Sequence, residues 1–472
     1  MRCNSEVRTV LRCAGVWGAS FALLMSVGCG SSGSGAGSQQ QQQQQQQPSQ
    51  LQASADPTGQ LQTTSTTGGV DFTNAFFKDF GTNNRDCFTC HKPTDGWSIS
   101  AANVNARFQS SGGTDEIFRT VDGSNCPNDD VSTLTAKQVA YSLLTTRGVI
   151  RVSRPIPANA DFSLTAVDDP YNCVATNGLS LYRRPLPATN LKFESTIMFD
   201  ARETFPGKTL FQDLESQAND ATITHAQGTG LTAQEQQAIV NFELSTFTAQ
   251  QVDAAAGDLS QNGGQGGVKA LAAQQFTPGE NNFLSGAGFN QNVFTLYTAW
   301  ENLTGTDPQS LARESIARGE KIFNTRVINI FGVAGLNDTL NQGSIVGSCS
   351  TCHSAFNIGD MAANNPLNIG TEDASRRILP GQAQELPLYT FSCTNGTIFQ
   401  VMDPGFALTS GSCNDIGKFK VPGLRGLAAR APYFHDGQAA TIGDVVDFYN
   451  TRFNIKLTNQ EKTDLVNFLN AL

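Results

Sequence analysis

The chain has 472 residues, of which 39% are hydrophobic and 15% are charged. This length suits two or three globular domains of roughly 100–200 residues each, and the polar content excludes a polytopic membrane protein. Lys and Arg total 31 against 41 Asp and Glu, so the formal net charge of −10 argues against nucleic-acid binding.

The first 28 residues have the pattern of an export signal. Three arginines precede an apolar stretch from residue 14 to residue 27, which ends in small residues before Cys29. The stretch is shorter than the roughly 20 residues that a membrane-spanning helix needs. This pattern predicts a signal peptide over 1–28 and lipidation of Cys29, with an N-terminal membrane anchor as the alternative. We therefore expect a periplasmic protein with a lipid anchor in the outer membrane.

Residues 29–69 are largely Gly, Ser, Thr and Gln, and they include nine consecutive glutamines from 39 to 47. A segment of this composition has few apolar side chains with which to form a core. We therefore predict a disordered tether over 29–69.

A helix-forming pattern occurs twice, at 231–242 and at 457–468. Each copy opens with a Thr followed three residues later by a Glu, which is the capping box that begins many helices. Few alternating apolar runs occur elsewhere, so the sequence predicts a mainly α fold. The two copies indicate two units, at 70–250 and 301–472, which are joined by a linker over 251–300.

The motif C-x-x-C-H also occurs twice, once in each unit. The two copies are Cys87-Phe-Thr-Cys90-His91 and Cys349-Ser-Thr-Cys352-His353. This spacing is typical of c-type haem attachment, in which two thiols bond to the porphyrin and the histidine ligates the iron. Either copy alone is also compatible with zinc or thiol redox chemistry. Because a four-cysteine zinc site would leave both histidines unexplained, the two copies predict two covalently bound haem c groups.

Four further cysteines remain after the signal, the lipidation site and the two motifs are set aside. They are Cys126, Cys173, Cys393 and Cys413. In an oxidising compartment four such thiols favour two disulfides. Sequential pairing, Cys126–Cys173 and Cys393–Cys413, keeps each bridge within one unit and is preferred among three connectivities. Free buried thiols are the alternative.

The stretch from Phe419 to Gly437, FKVPGLRGLAARAPYFHDG, resembles the C-terminal signature of bacterial dihaem cytochrome c peroxidases and MauG-type proteins. The stretches at 183–190, 198–202 and 214–218 resemble a segment of the family's first domain. The resemblance implies two cytochrome c-like helical domains, with a peroxidatic N-terminal haem and an electron-transfer C-terminal haem. It also implies reduction of hydrogen peroxide with electrons from a small cytochrome or cupredoxin, and it allows a homodimer.

In this family the sixth ligand of the second haem lies fourteen residues after the histidine of the P-Y-F-H motif. That histidine is His435, and the residue in the ligand position is Tyr449. The resemblance therefore implies Tyr449 as a sixth ligand and His435 as a residue that positions the second haem. Met402 and Met361 are alternative ligands, and a tyrosine in a helix is also common in a protein core.

No histidine follows the first motif closely, because the next one is His225. We therefore expect the first haem to have an open face. His225 lies near the family position of a distal Glu, so the resemblance implies that it is a general acid–base. Gln217 would orient peroxide, and Arg202 would bind a haem propionate or shape the distal side. The alternatives are that His225 is a sixth ligand or a surface residue.

Two residues depart from the family pattern. Phe199 occupies a position where the family usually has Trp, and Arg430 replaces a Thr that contributes to an interface calcium site. Calcium would then depend on Asn190 and backbone carbonyls. Arg425, like Arg202, is expected to be a charge partner of a haem, and a surface salt bridge is the alternative for both. Two other functions stay open: MauG-like or rubber-oxygenase-like oxidation of a protein or organic substrate, and non-enzymatic electron transfer by a dihaem cytochrome.

Overall fold

The computed structural model describes residues 51–173, 178–285, 288–377 and 386–472. All four ranges belong to one compact unit. The predicted signal peptide and Cys29 lie outside the described residues. Within the described ranges, no helix combines the length and the apolar character needed to cross a bilayer.

The helices and strands are as follows. The α-helices are α1 (Ala101–Ser111), α2 (Leu134–Ala140), α3 (Ser142–Arg147), α4 (Leu210–Thr224), α5 (Ala233–Ser245), α6 (Val268–Ala273), α7 (Pro308–Thr325), α8 (Ala407–Ser410), α9 (Ile442–Arg452) and α10 (Asn459–Asn470). The strands are β1 (Leu51–Asp56), β2 (Gly59–Ser65), β3 (Ile150–Arg154), β4 (Phe162–Asp168), β5 (Leu179–Arg183), β6 (Thr246–Asp253), β7 (Gly257–Asp258), β8 (Ile328–Phe331), β9 (Ser344–Gly347), β10 (Leu388–Cys393) and β11 (Ile398–Val401).

The prediction of a mainly α fold is wrong, because the described residues form four antiparallel sheets in addition to ten α-helices. Several strands are rich in Thr, Ser and Gln, so they lack the alternation of apolar and polar residues that identifies strands in a sequence. In β2, for example, Leu61 and Thr63 are the buried pair. The hydroxyl of Thr63 lies 2.8 Å from that of Thr248 in β6, so a polar contact takes the place of an apolar one.

The predicted tether is also too long at its C-terminal end. Strands β1 and β2 form an antiparallel hairpin, and β2 pairs with β6 along its length. The indole nitrogen of Trp97 donates a hydrogen bond to Thr63 at 2.8 Å, which ties the hairpin to the loop after the first C-x-x-C-H motif. Residues 51–65 are therefore part of the folded unit, and the rest of the prediction, 29–50, lies outside the described residues.

The two predicted capping-box helices are confirmed. Helix α5 begins after Thr232 and α10 begins after Thr458, and each threonine caps the helix together with a glutamate three residues later. Helix α10 packs closely on α7 at Gly319, where a Cβ atom would lie 2.0 Å from the carbonyl oxygen of Asp464. A side chain at position 319 would therefore separate the two helices.

Strand pairing and disulfides connect distant parts of the chain. In the three-stranded sheet, β10 lies between β11 and β4, so segments from both predicted units share one sheet. The predicted disulfides Cys126–Cys173 and Cys393–Cys413 are both formed. The division into haem domains at 70–250 and 301–472 stays a prediction.

Candidate functional site

The first C-x-x-C-H motif forms a short 3-10 turn that folds the histidine back beside the thiols. The backbone N–H of His91 donates to the carbonyl of Cys87 at 3.0 Å, and the side chains of Asp86 and Thr89 cap the turn. The Nδ1 atom of His91 lies 2.8 Å from the carbonyl oxygen of Trp97. Because a carbonyl only accepts, Nδ1 carries the hydrogen and Nε2 keeps a lone pair that can ligate a metal.

The second motif repeats this arrangement. The backbone N–H of His353 donates to the carbonyl of Cys349 at 3.1 Å, and the backbone N–H of Ser348 donates to the hydroxyl of Thr351 at 3.0 Å. The Nδ1 atom of His353 binds the carbonyl oxygen of Gly359. The carbonyl is again six residues after the histidine, so both motifs leave Nε2 as the available nitrogen.

The four motif thiols are the ones left without a disulfide in the described chain. They are Cys87, Cys90, Cys349 and Cys352. Burial raises the pKa of all four thiols. Buried thiols that sit beside a histidine with a free Nε2 fit the covalent attachment of haem c.

A largely apolar cavity lies at the second motif. Its volume is about 230 Å³. Its lining includes Cys349, Cys352, His353, Phe199, Phe419, His435 and Tyr449. The residues around the cavity come from both predicted units, because the segment from Pro185 to Pro187 also forms part of the wall. A flat apolar group bound to the two thiols would be enclosed on several sides.

Arg425 provides an independent indication that an acidic group belongs near this motif. It is 4% exposed, and its Nε and Nη2 atoms have no hydrogen-bond partner among the described residues. Its Nη1 atom donates to the carbonyl of Asn357, two residues before Gly359, at 3.4 Å. Burial lowers the pKa of Arg425 to about 10. A buried guanidinium with two unused donors is costly unless an anion binds it, and a haem propionate is such an anion.

Aromatic side chains surround the first motif, and one acidic side chain is buried among them. Phe76 packs on His91 with ring centroids 6.2 Å apart, and Phe242 packs on Trp97 at 5.7 Å. The next residue, Glu243, is 5% exposed, and its Oε2 atom has no hydrogen-bond partner among the described residues. Burial raises the pKa of Glu243 to about 8, so its carboxyl group is protonated near neutral pH.

Replacing Glu243 with Gln is expected to flatten the dependence of stability on pH. The unfolded carboxyl ionises near pH 4.5 and the folded one near 8, so the folded state binds more protons between these values. Stability of the wild type therefore falls as pH rises through that window, by several kcal/mol at about 1.4 kcal/mol per pKa unit. Urea denaturation of the holoprotein at pH 5 and pH 8 measures this difference. The same dependence of the unfolding free energy on pH in wild type and variant would contradict this expectation. The control is Glu215→Gln, on the more exposed surface of α4.

His225 lies directly after α4 and forms part of a buried charge chain. Its Nδ1 atom is 2.7 Å from Oδ2 of Asp122, whose Oδ1 atom is 2.6 Å from Nη1 of Arg85. The other nitrogens of Arg85 donate to the backbone carbonyls of Glu116 and Ile117 at 2.8 and 2.5 Å. Arg85 and Asp122 therefore hold the imidazole of His225 in one orientation.

This charge chain is close to the first motif. Burial raises the pKa of the Cys90 thiol, and the charges of Arg85 and Asp122 also act on it. Burial lowers the pKa of His91, and the charge of His225 lowers it further. Sequence analysis missed Asp122 and Arg85, because each is far from His225 along the chain and neither belongs to a recognisable motif.

Two other residues predicted for the first haem have different surroundings. Gln217 lies on α4, two turns before its C-terminal end, and is half-buried. Arg202 donates to the carboxylate of Asp200 at 3.1 Å, within a buried ion network. The structure thus brings His225 to Asp122 and gives Arg202 an acidic partner, Asp200, which it shares with Arg183.

Tyr449 lies on α9 and lines the cavity at the second motif. Burial raises the pKa of its phenol, and the neighbouring thiols of Cys352 and Cys349 raise it further. Met402 packs instead in a separate apolar cluster that includes Leu143 and Tyr182. Of the predicted sixth ligands of the second haem, Tyr449 therefore lines the cavity and Met402 does not.

The residues around Asn190 do not support the calcium interpretation. The side-chain amide of Asn190 donates to the carbonyl of Thr248 at 2.9 Å and accepts from its N–H at 3.0 Å. The carbonyl of Arg430 accepts a hydrogen bond from Nη2 of Arg184 at 2.6 Å. The guanidinium of Arg184 thus already binds the backbone carbonyl at position 430, where the family resemblance would place a calcium ligand.

No family model matches the chain. Cytochrome-c peroxidase IdrP1 from Denitromonas iodatirespirans is 38% identical over 81 residues, which cover 15% of this chain and 22% of that protein. Cytochrome-c peroxidase IdrP2 from the same organism is 29% identical over 136 residues, covering 27% of this chain and 36% of that protein. The chain therefore spans about a fifth to a third of the length of these curated relatives.

A solved structure described as a MauG-like protein associated with microbial copper homeostasis is 16% identical to this chain. The match covers 63% of this chain and 76% of that one, at a TM-score of 0.31, which is too low to support an argument about the fold. The resemblance therefore depends on the segments that the cytochrome-c peroxidases match and on the two C-x-x-C-H motifs. Over those segments the chain is similar to cytochrome-c peroxidases.

Proposed function

We propose that this chain is a dihaem c-type oxidoreductase that reduces hydrogen peroxide to water at the N-terminal haem. One peroxide molecule takes up two electrons and two protons and yields two water molecules. Cys87, Cys90 and His91 would hold the first haem, and Cys349, Cys352 and His353 would hold the second. When bound, these groups supply iron that exchanges single electrons. The protein acts in the periplasm, where Cys29 carries its lipid anchor.

The observation that carries this proposal is the contact between His225 and Asp122. An ionised carboxylate only accepts, so Nδ1 of His225 carries a hydrogen, and in the neutral ring Nε2 then holds the lone pair. The His225 side chain is 32% exposed, so the ring is partly accessible to a small molecule. There the ring takes a proton from one peroxide oxygen and returns it to the other as the O–O bond breaks. Asp122 stabilises the imidazolium in between, because Arg85 holds its carboxylate in place.

A short route through one hydrogen bond and one peptide unit supports electron delivery from the second haem site to the first. His91 is hydrogen-bonded to the carbonyl of Trp97, and the next residue, Ser98, lines the cavity at the second motif. The hydroxyl of Ser98 donates to the carbonyl of Pro185, which lines the same cavity. One hydrogen bond and one peptide unit therefore connect the ligand of one haem to the wall around the other. The donor would be a small cytochrome or cupredoxin.

Replacing His225 with Ala tests the proposal. Loss of a general acid–base is expected to slow peroxide reduction by about 10²–10⁴-fold while both haems are retained. Oxidation of reduced cytochrome c by peroxide measures the rate, and the visible spectrum measures haem content. The exposed neighbour Thr224→Ala should keep the wild-type rate. If the loaded wild type does not consume peroxide the function is wrong, and an unchanged rate in His225→Ala removes His225 from it.

A second candidate is oxidation of a protein or organic substrate, and Tyr449 favours it. A phenolate is a hard anionic ligand that favours oxidised iron, and this phenol faces the cavity at the second motif. Phe199, also in the cavity lining, is difficult to oxidise and would not share charge between the two sites. The visible spectrum of Tyr449→Phe should differ from that of the wild type if the phenol binds the iron. An unchanged spectrum would leave the peroxidase as the function.

A further inference from the structure

A third cluster of ligand-type side chains lies outside the two C-x-x-C-H motifs. One donor atom from each of Glu372, His435 and Asp436 lies within 4.8 Å of the others. The three residues are 2%, 4% and 1% exposed. Glu372 is more than sixty residues from the other two along the chain, so tertiary folding alone brings this cluster together.

The polar atoms of this cluster are buried but unsatisfied. Both carboxylate oxygens of Glu372, Nε2 of His435 and Oδ2 of Asp436 have no hydrogen-bond partner among the described residues. Oε1 of Glu372 lies 2.7 Å from Nε2 of His435, so these two atoms form an ion pair when the imidazole is protonated. Oε2 of Glu372 and Oδ2 of Asp436 remain without a partner among the described residues, and leaving such an atom buried and unpaired would cost about 1–3 kcal/mol.

The charged side chains around the cluster do not supply the missing hydrogen-bond partners. Both carboxylate oxygens of Asp403 accept hydrogen bonds from Arg183. The Nε atom of Arg376 donates to Gln438 at 2.9 Å. Arg147 and Arg376 are close enough for their charges to act on Asp436. They offset part of the negative charge, but Oε2 of Glu372 and Oδ2 of Asp436 still lack a hydrogen-bond partner among the described residues.

We propose that Glu372, His435 and Asp436 bind one divalent transition-metal ion in addition to the haem irons. One imidazole nitrogen and two carboxylate oxygens are the donors that Zn²⁺ and ions of its class accept, at about 2.0–2.2 Å. Two donors at that distance in a tetrahedral site are about 3.4 Å apart, so Glu372 and His435, which lie 2.7 Å apart, would separate slightly on binding the ion. The nitrogen donor argues against calcium, which takes oxygen ligands.

The position of the site gives the ion a structural role next to the second motif. The ring of His435 stacks on Phe419 with centroids 4.0 Å apart, and both residues line the cavity. An ion at Nε2 of His435 would therefore fix one wall of that cavity and connect it to the segment around Glu372. This inference goes beyond the proposed function and does not depend on peroxide chemistry.

Zinc uptake by the haem-loaded wild-type protein tests the site. After dialysis against a chelator and then against Zn²⁺, elemental analysis should find about one zinc per chain, with iron equal to the haem content. Glu372→Gln and Asp436→Asn should each weaken zinc binding by at least about tenfold, whereas the exposed neighbour Asp373→Asn should bind as the wild type does. Zinc should also raise the midpoint of thermal unfolding of the wild type.

Two results would overturn the site. One is a wild type that holds less than about a tenth of a zinc per chain at micromolar free Zn²⁺ and unfolds at the same temperature with and without it. The other is a folded Glu372→Gln protein that binds zinc as tightly as the wild type. If neither variant folds, the wild-type stoichiometry and unfolding shift still decide the question. Peroxide turnover is a separate measurement, so failure of the site and failure of the proposed function are distinguishable.

Discussion

Changing Cys349 and Cys352 to Ala is expected to lower the covalently bound haem of the exported protein from two groups per chain to one. Each thiol of the motif forms one bond to the porphyrin, and His353 alone would hold the group only by its iron. Intact-mass spectrometry under denaturing conditions measures the loss directly.

The same double variant separates the two roles that we assign to the haems. Turnover with a reduced cytochrome should fall by about 100-fold or more, because the route from the second site to His91 is lost. A single reaction of the reduced first haem with peroxide should persist, because His225 and Asp122 are untouched. Cys126→Ala with Cys173→Ala, which removes a disulfide of the chain, is the control and should keep both haems. Two haems on the Cys349/Cys352 variant would contradict the assignment.

Replacing Asp200 with Asn is expected to lower the free energy of unfolding by about 3–5 kcal/mol. Asp200 is completely buried, and its carboxylate lies 2.6 Å from Nη1 of Arg183 and 3.1 Å from Nη1 of Arg202. Arg183 also makes two bonds to Asp403, at 2.6 and 2.9 Å. Loss of the central negative charge leaves buried guanidinium groups without full compensation, which is more costly than loss of an exposed ion pair.

The destabilisation caused by Asp200→Asn is expected to become smaller as the pH falls. Burial alone would raise the pKa of Asp200, but Arg183, Arg202 and Arg154 hold it below its ordinary value. The stabilisation is therefore complete above the unfolded pKa of about 4 and is lost as the pH falls below it. Urea denaturation at pH 7 and at pH 3.5 should show a large and then a smaller difference between wild type and Asp200→Asn.

The control for this substitution is Asp447→Asn. Asp447 pairs with Lys462 on the surface and is 60% exposed, so its loss should change stability by less than about 1 kcal/mol. If Asp200→Asn were no more destabilising than Asp447→Asn, the buried ion network would not hold the segment from Arg183 to Asp200 against the segment around Asp403.

Short-range patterns were reliable predictors in this chain. The capping boxes at Thr232 and Thr458 and the turn of each C-x-x-C-H motif depend on residues that are near in sequence. The disulfide pairs span 47 and 20 residues, and they were predictable because only four cysteines were left to pair. In the two motifs, the carbonyl that orients each histidine is only six residues away. Such contacts form through local backbone geometry, so their spacing is visible in the sequence.

The sheets were missed for an equally physical reason. A strand such as β2 buries Thr63 through a hydroxyl contact to Thr248, so its inward positions do not stand out as apolar. The hairpin at 51–65 has the composition of a tether because it is rich in Gln and Thr, although its backbone is satisfied by pairing with β6. A strand of this composition becomes recognisable only when its partner, nearly two hundred residues away, is known.

The sequence by itself determined the two C-x-x-C-H motifs, the family resemblance and the prediction of His225 as a general acid–base, because each depends on residue identity or on spacing of a few residues. The tertiary structure alone decided what surrounds them. Asp122 and Arg85 meet His225, and Glu372 meets His435, across long stretches of chain. A carboxylate far along the chain gives no local sign of its partner, so its chemistry depends on which charges the completed fold encloses with it.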